Sequence, residues 1–191
     1  MNNFDFELKR KAVHILLSFY PLLFIYLNFD KLVALAISFI YLFLWLFSEF
    51  LRTKNIETPT AFLIRKVSRS TIDGTFEKSW KKIRMPNWII GSTITLILFD
   101  YNILLIATIV AVFGDTASGL TRVLLNKKEK KLVGFFAGTV LSMILISIIT
   151  QNYFLAIVSS AIGMSSELIP IKVNDNLIIS PLTGIATFIF R

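Results

Sequence analysis

Asp115, Ser118, Gly119 and Arg122 lie within the segment VFGDTASGLTR, residues 112–122, directly after a strongly apolar run. Their spacing of i, i+3, i+4 and i+7 places them on one face of a helix. That face carries an acid, then small residues, then a base. Because a charge at the centre of a bilayer costs at least about 2.5–3.5 kcal/mol, ionisable residues inside apolar helices indicate function. The alternative is a structural Asp115–Arg122 pair, although such a pair needs no small residues between its charges.

Two further acids, Glu167 and Asp175, stand close to the ends of apolar stretches, and Asn176 follows the second. Carboxylate oxygens suit Mg²⁺, which needs only one or two of them when substrate phosphates complete its coordination. Arg and Lys suit the remaining phosphate charge. The sequence therefore predicts that Asp115, Glu167 and Asp175 bind a metal, and that the ligand carries phosphate. It contains no Walker-type glycine loop and no protein-kinase signature.

A second polar face begins near the N-terminus, where steps of three and four residues join Glu7, Arg10, Lys11, His14 and Ser18. Phosphate binding by the basic residues is the functional interpretation. The alternative is a basic anchor whose side chains reach back to the membrane surface, with the histidine just inside.

Two stripes of small or hydroxyl residues have packing as their ordinary explanation. Gly134, Gly138 and Ser142 form a ridge that favours close helix packing. Near the C-terminus, helix capping and interhelical hydrogen bonds compete with a functional interpretation for the stripe Asn176, Ser180, Thr183 and Thr187.

Hydrophobic residues make up 55% of the 191 positions, and several stretches approach the length that spans a bilayer. The pattern predicts an all-α, polytopic transmembrane bundle of about seven spans. The fourth span is apolar only up to Gly114, so it crosses only if its polar continuation faces protein. The predicted helices are 12–29, 32–51, 86–99, 103–125, 132–150, 153–169 and 177–190.

Seven spans place every Lys and Arg residue except Lys31 and Arg191 on one side. Because retained positive charge marks the cytoplasm, the N-terminus and the acids are predicted to be cytoplasmic. The net charge of +8 therefore indicates membrane orientation, and no nucleic-acid partner is expected. Residues 1–191 form one integral membrane domain, with a basic, partly apolar connection at about 52–86 that suits the interface. The absence of cysteine and the single histidine exclude thiolate and multi-histidine metal sites.

Four segments together resemble the CTP-dependent lipid kinases, the family of dolichol kinase, phytol kinase and yeast-type diacylglycerol kinase. The resemblance spans nearly the whole chain, and the second and fourth segments are fairly specific in combination. The segments are ELKRKAVHI at 7–15, FGDTASGLTR at 113–122, KKLVGFFAGT at 130–139 and ELIPIKVNDNLIISPL at 167–182.

The match to the family motifs can be stated residue by residue. The matching residues are Arg10, Lys11 and His14 in the first motif, Gly114, Asp115, Ala117 and Ser118 in the second, Lys130, Gly134, Ala137 and Gly138 in the third, and Glu167, Asp175 and Asn176 in the fourth. The chain departs from the family at Lys131 and Val133, where Thr and Glu are usual, and at Asn174, where Asp is usual.

The resemblance implies phosphoryl transfer from CTP to the hydroxyl of a membrane isoprenoid or glycerolipid alcohol at the cytoplasmic face. Asp115, with Asp175 or Glu167, would hold Mg²⁺, and His14 or one of the acids would take the alcohol proton. The residues expected to bind the nucleotide and its phosphates are Arg10, Lys11, Gly114, Ser118, Arg122, Lys130, Gly134 and Asn176.

Two other functions remain open from the sequence. A cytidylyltransferase that makes a CDP-lipid needs the same nucleotide, metal and membrane surface. A transporter or non-catalytic membrane subunit is the third hypothesis, although a transporter typically has internal repeats or paired broken helices, which are not evident here.

Overall fold

The computed structural model describes residues 8, 11–12, 15–16, 20–54, 85–125, 130–169 and 175–191. All regular structure in these residues is helical, which confirms the all-α prediction for this part of the chain. Seven helices are described: α1 Tyr20–Tyr26, α2 Lys31–Thr53, α3 Met85–Leu98, α4 Tyr101–Leu125, α5 Lys130–Thr150, α6 Tyr153–Ser165 and α7 Asp175–Phe190.

Three segments are long and apolar enough to cross a membrane: Lys31–Ser48, Tyr101–Leu125 and Lys131–Thr150. Three shorter apolar helices accompany them, Asn87–Leu98, Tyr153–Ser165 and Asp175–Phe190. The chain therefore has the composition of a membrane protein, while seven crossings and their orientation stay predictions. The predicted interfacial connection lies mainly outside the described residues, which resume at 85.

Short turns join the helices at the end of the bundle that is predicted to be extracytoplasmic. Asp100 caps α4 by accepting a hydrogen bond from the Ile103 N–H at 3.0 Å, and Asn152 caps α6 by accepting from the Leu155 N–H at 3.0 Å. Short polar side chains such as these satisfy N–H groups that a helix start leaves unpaired. These caps explain why so few residues suffice for each turn.

Lys31 and Arg191, the two cations outside the predicted charge skew, lie beside the turn between α3 and α4. The Lys31 ammonium donates to the carbonyls of Ile97 at 3.1 Å and Phe99 at 3.0 Å. The Arg191 guanidinium pairs with Asp100. Both cations thus have local partners where α3 ends and α4 begins, and a lysine suits the unpaired carbonyls of a helix end.

The central helix of the bundle is α4, which contacts α1, α3, α5, α6 and α7. Inside the protein, 72% of its span is buried, against 17% for the span in α2 and 22% for that in α5. The helix continues without a break through the polar stretch that follows Gly114. The prediction that this stretch faces protein is confirmed, since Thr116, Ser118 and Gly119 are buried.

In its middle, α4 widens into a π-helical segment, Val110–Gly114, between the α-helical segments Tyr101–Ile109 and Asp115–Leu125. Such single-turn π segments are rare and occur frequently at functional sites. Here the widened turn ends directly before Asp115. The wider turn therefore separates the apolar half of α4 from the half that carries the polar face.

The ridge of small residues on α5 lets its backbone approach α4 closely. A Cβ atom at Gly138 would lie 2.7 Å from the carbonyl oxygen of Gly114, and a Cβ atom at Gly114 would lie 2.7 Å from Ser142 Oγ. Gly138 and Gly114 both also face the side chain of Met164 on α6. The packing interpretation of this ridge is therefore confirmed for Gly138 and Ser142.

The hydroxyl stripe of α7 holds neighbouring helices. Ser180 Oγ lies 2.9 Å from Thr95 Oγ1 on α3, and Thr187 Oγ1 lies 2.9 Å from Ser159 Oγ on α6. Thr183 Oγ1 donates to the Ile179 carbonyl of its own helix at 2.7 Å. Ser180 and Thr187 thus form the interhelical hydrogen bonds of a packing surface, and Asn176 is the member of the stripe that stays a candidate for function.

Candidate functional site

The polar face of α4 meets the N-terminal segment at Asp115. Lys11 Nζ donates to Asp115 Oδ2 at 2.5 Å and to the Asp115 main-chain carbonyl at 2.8 Å. The Lys11 side chain is 4% exposed and that of Asp115 is 14% exposed. Because both groups are largely removed from water, their attraction is only weakly screened. The ion pair ties together two segments that are 104 positions apart in the chain.

One turn further along α4, Ser118 and Arg122 meet the turn that follows α6. Ser118 Oγ donates to Glu167 Oε2 at 2.5 Å, and Arg122 Nη2 donates to Glu167 Oε1 at 3.3 Å. Arg122 Nε also donates to the Ser118 carbonyl at 3.2 Å, which holds the guanidinium against its own helix. Both oxygens of Glu167 are therefore engaged by one face of α4.

The bundle encloses Glu167 almost completely. Its side chain is 1% exposed, and its backbone N–H donates to the Met164 carbonyl at 3.0 Å. Burial raises the pKa of the Glu167 carboxyl, while the Arg122 charge and the Ser118 hydrogen bond oppose that rise. The predicted sixth helix extended to residue 169, but it ends at Ser165, so Glu167 projects from a turn.

The cations and acids of this face are paired between segments. Arg122 pairs with Glu167, and Asp115 pairs with Lys11. The structural alternative of one Asp115–Arg122 pair within the helix is therefore not the observed arrangement. Among the described residues, these pairs instead connect α4 to the N-terminal segment and to the turn after α6.

Asp175 is the third acid that the sequence predicted to bind a metal. Burial is the main cause of the raised pKa of the Glu167 carboxyl, and the negative charges of Asp115 and Asp175 add to it. Asp175 begins α7 and is exposed, whereas Asn176 is half-buried. The more accessible carboxylates are thus Asp115 and Asp175.

Among the described residues, no three Asp, Glu or His side chains form a group that could hold a metal ion. The described residues therefore do not form a metal site whose ligands are all protein side chains. A magnesium ion that keeps water and binds substrate phosphates needs only one or two carboxylates. The side-chain and main-chain oxygens of Asp115 already accept a cation, the Lys11 ammonium, and are of the type that Mg²⁺ prefers.

The other predicted site residues fall into two groups. Arg10 and His14 lie outside the described residues, as does the side chain of Lys130, where α5 begins. Gly134 faces the site: a Cβ atom there would lie 2.6 Å from Ser118 Oγ and 3.1 Å from Arg122 Nε. Gly114 contributes to the contact between α4 and α5. Gly134 therefore gives Arg122 and Ser118 space beside α5.

Sequence reasoning missed Met164, which packs behind the site. Its side chain lies where Cβ atoms on Gly114 and Gly138 would stand, and the residue is completely buried. The main-chain carbonyl of Met164 also accepts a hydrogen bond from the backbone N–H of Glu167. A methionine in an apolar helix is ordinary, so only its position three residues before Glu167 could have drawn attention to it.

No family model matches the chain. Over 203 aligned residues, it is 26% identical to a protein of Rickettsia prowazekii (strain Madrid E) that is described as uncharacterized; the alignment covers 98% of this chain and 96% of that protein. No solved structure matches. The Rickettsia protein is thus similar over essentially its whole length.

Proposed function

We propose that the protein is a CTP-dependent kinase that phosphorylates a membrane lipid alcohol at the cytoplasmic face. One observation carries the proposal. Lys11, Asp115, Arg122 and Glu167 converge from three segments at one end of the central helix. Carboxylates and cations brought together in this way suit a metal-bound polyphosphate.

The resemblance to CTP-dependent lipid kinases supplies the reaction. The bond between the γ-phosphorus and its bridging oxygen breaks, a bond to the alcohol oxygen forms, and CDP leaves. The alcohol proton passes to His14 or to an acid of the site. Such transfers depend mainly on positioning and charge stabilisation, so a compact arrangement of charged side chains can be sufficient.

Asp115 and Asp175 are the residues that would hold Mg²⁺ in this function. An ion held by these two carboxylates would supply positive charge to offset the negative charge that develops on the phosphates during transfer. Lys11 and Arg122 would bind phosphate oxygens, together with Arg10 and Lys130. A guanidinium and an ammonium are both ordinary phosphate ligands in proteins.

Glu167 has a different role in this proposal from that of a catalytic acid or metal ligand. Both its oxygens accept hydrogen bonds from α4, and its side chain is enclosed. It would act as a positioning residue that fixes the Arg122 guanidinium.

A lipid alcohol would approach from the bilayer, because the outward surfaces of the helices are apolar and include Phe136, Ile144 and Ile148 on α5.

The test is a labelled-CTP assay on the purified protein in lipid nanodiscs. Phytol, geranylgeraniol, a dolichol-like alcohol and diacylglycerol are supplied in parallel. Label from the γ-phosphate that appears in lipid supports the kinase. Label from the α-phosphate that appears in lipid instead identifies a cytidylyltransferase. If no lipid of this panel is labelled while active control enzymes are, the proposal is wrong.

A further inference from the structure

The Lys11 ammonium occupies the position beside the Asp115 oxygens where a divalent cation would bind. It contacts Asp115 Oδ2 at 2.5 Å and the Asp115 main-chain oxygen at 2.8 Å. A carboxylate and a carbonyl from one residue are hard oxygen donors of the type found around Mg²⁺. An ammonium group has three N–H donors, and two of those of Lys11 are directed at this single residue.

The ammonium and a metal ion cannot share these oxygens. Both carry positive charge, and in a site where Lys11 is 3% exposed their repulsion is weakly screened. A bare divalent cation must therefore displace the buried Lys11 ammonium from the carboxylate that pairs with it. An unpaired buried charge is strongly unfavourable, so the ion pair protects Asp115 from metal binding.

A polyphosphate changes this balance, because it offers the displaced ammonium a new anion. We propose that Lys11 is an exchangeable counter-ion that makes metal binding at Asp115 dependent on the nucleotide. Without a nucleotide, Lys11 neutralises Asp115 and excludes the metal. When the nucleotide binds, its phosphates take the Lys11 ammonium, and the oxygens of Asp115 become available to Mg²⁺. This inference rests on the proposed function, and it assigns the order in which that site fills.

The coupling is reciprocal, as any linkage between two ligands must be. The nucleotide raises the affinity of the site for metal, and the metal raises its affinity for the nucleotide. If Lys11 is the source of this coupling, neutralising Lys11 will increase the affinity for metal in the absence of nucleotide. That effect requires no turnover and can be measured separately from the reaction.

The experiment measures Mn²⁺ binding, by the electron paramagnetic resonance signal of the free ion, to the full chain in nanodiscs without nucleotide. The variants are Lys11→Met and Lys11→Gln, the second of which keeps N–H donors for the oxygens of Asp115. Lys31→Met is the matched control, because it also removes a lysine that donates to main-chain carbonyls, at the other end of the bundle. Coupling energies of this kind predict that the Lys11 variants bind Mn²⁺ about 5- to 150-fold more tightly than wild type.

Adding Asp115→Asn to either Lys11 variant should abolish the gain, and Lys31→Met should behave as wild type. An unchanged Mn²⁺ affinity in either Lys11 variant, with an unfolding transition that shows it to be folded, overturns the inference even if the wild type is an active kinase. A gain in Mn²⁺ affinity that Asp115→Asn abolishes supports the exchange at Asp115, even where the lipid panel shows no turnover and the kinase proposal fails.

Discussion

Ser118 and Glu167, 49 positions apart in the sequence, are joined by a buried hydrogen bond of 2.5 Å between the serine hydroxyl and a carboxylate oxygen. Arg122 binds the other carboxylate oxygen and the Ser118 carbonyl. The three groups form a closed unit that fixes the turn after α6 against α4. Its integrity determines where the Arg122 guanidinium points.

Glu167→Ala should be the most destabilising change in this unit. It leaves Arg122 without its anion, and breaking a buried pair in this way costs about 3–5 kcal/mol. Because the Arg122 side chain is 29% exposed, we expect the lower end of that range. Ser118→Ala leaves the ion pair in place and should cost about 1–3 kcal/mol. Unfolding free energies in mixed micelles measure the stability of both variants, and a larger loss in Ser118→Ala than in Glu167→Ala would contradict the assignment.

If the protein catalyses the proposed phosphoryl transfer, Asp115→Asn should reduce its turnover by about 10²-fold or more, the effect of removing one charge-stabilising group from an active site. Asp100→Asn is the matched control, since Asp100 lies at the start of the same helix and also pairs with a cation, Arg191. The control should retain turnover within about twofold, because exposed ion pairs contribute little. Initial rates with saturating CTP and lipid alcohol provide the comparison. Similar losses in the two variants would remove Asp115 from the mechanism.

Gly138→Ala should destabilise the bundle by separating α4 from α5. The new Cβ atom would stand 2.7 Å from the Gly114 carbonyl oxygen, a backbone atom that cannot move without its helix. Overpacking of this kind costs about 1–3 kcal/mol, which exceeds the helix propensity of about 1 kcal/mol gained by replacing glycine. Val140→Ala on the exposed side of α5 is the control and should have little effect. A thermal transition in nanodiscs that is unchanged by Gly138→Ala would refute the close contact.

The predicted orientation can be tested with single cysteines, because the chain contains none. Asn102→Cys and Gln151→Cys should react with an impermeant maleimide added to intact cells, whereas Lys131→Cys should react only after permeabilisation. All three positions are exposed, so reactivity reports the side of the membrane. The expectation follows from the positive-inside rule and the seven crossings. Labelling of Lys131→Cys in intact cells would reverse the orientation and place the proposed site outside.

Local rules predicted the helices and the polar face of α4, because both depend on spacing within one segment. A period of 3.6 residues is enough to place Asp115, Ser118 and Arg122 on one side. The partners of that face could not be predicted in the same way. Lys11 is 104 positions from Asp115, and Glu167 is 45 positions from Arg122, so each pair depends on how distant helices pack.

The small residues illustrate a second limit. A glycine in a helix leaves room either for a ligand or for a neighbouring helix. The sequence alone does not distinguish these two uses. The structure uses Gly138 and Gly114 for contact between α4 and α5, and it uses Gly134 to accommodate Arg122 and Ser118. Only the packing partners separate a structural glycine from one that shapes the site.

The wide turn at Val110–Gly114 sets the rotation of the charged half of α4 around the helix axis relative to the apolar half. One residue of an ordinary helix corresponds to a rotation of about 100° around its axis. Shortening this turn by one residue would therefore swing the charged half away from Lys11 and Glu167 while the apolar half kept its place. The geometry of the candidate site is consequently sensitive to the length of the central helix, and a deletion in an apolar stretch without any charge could separate its charged partners.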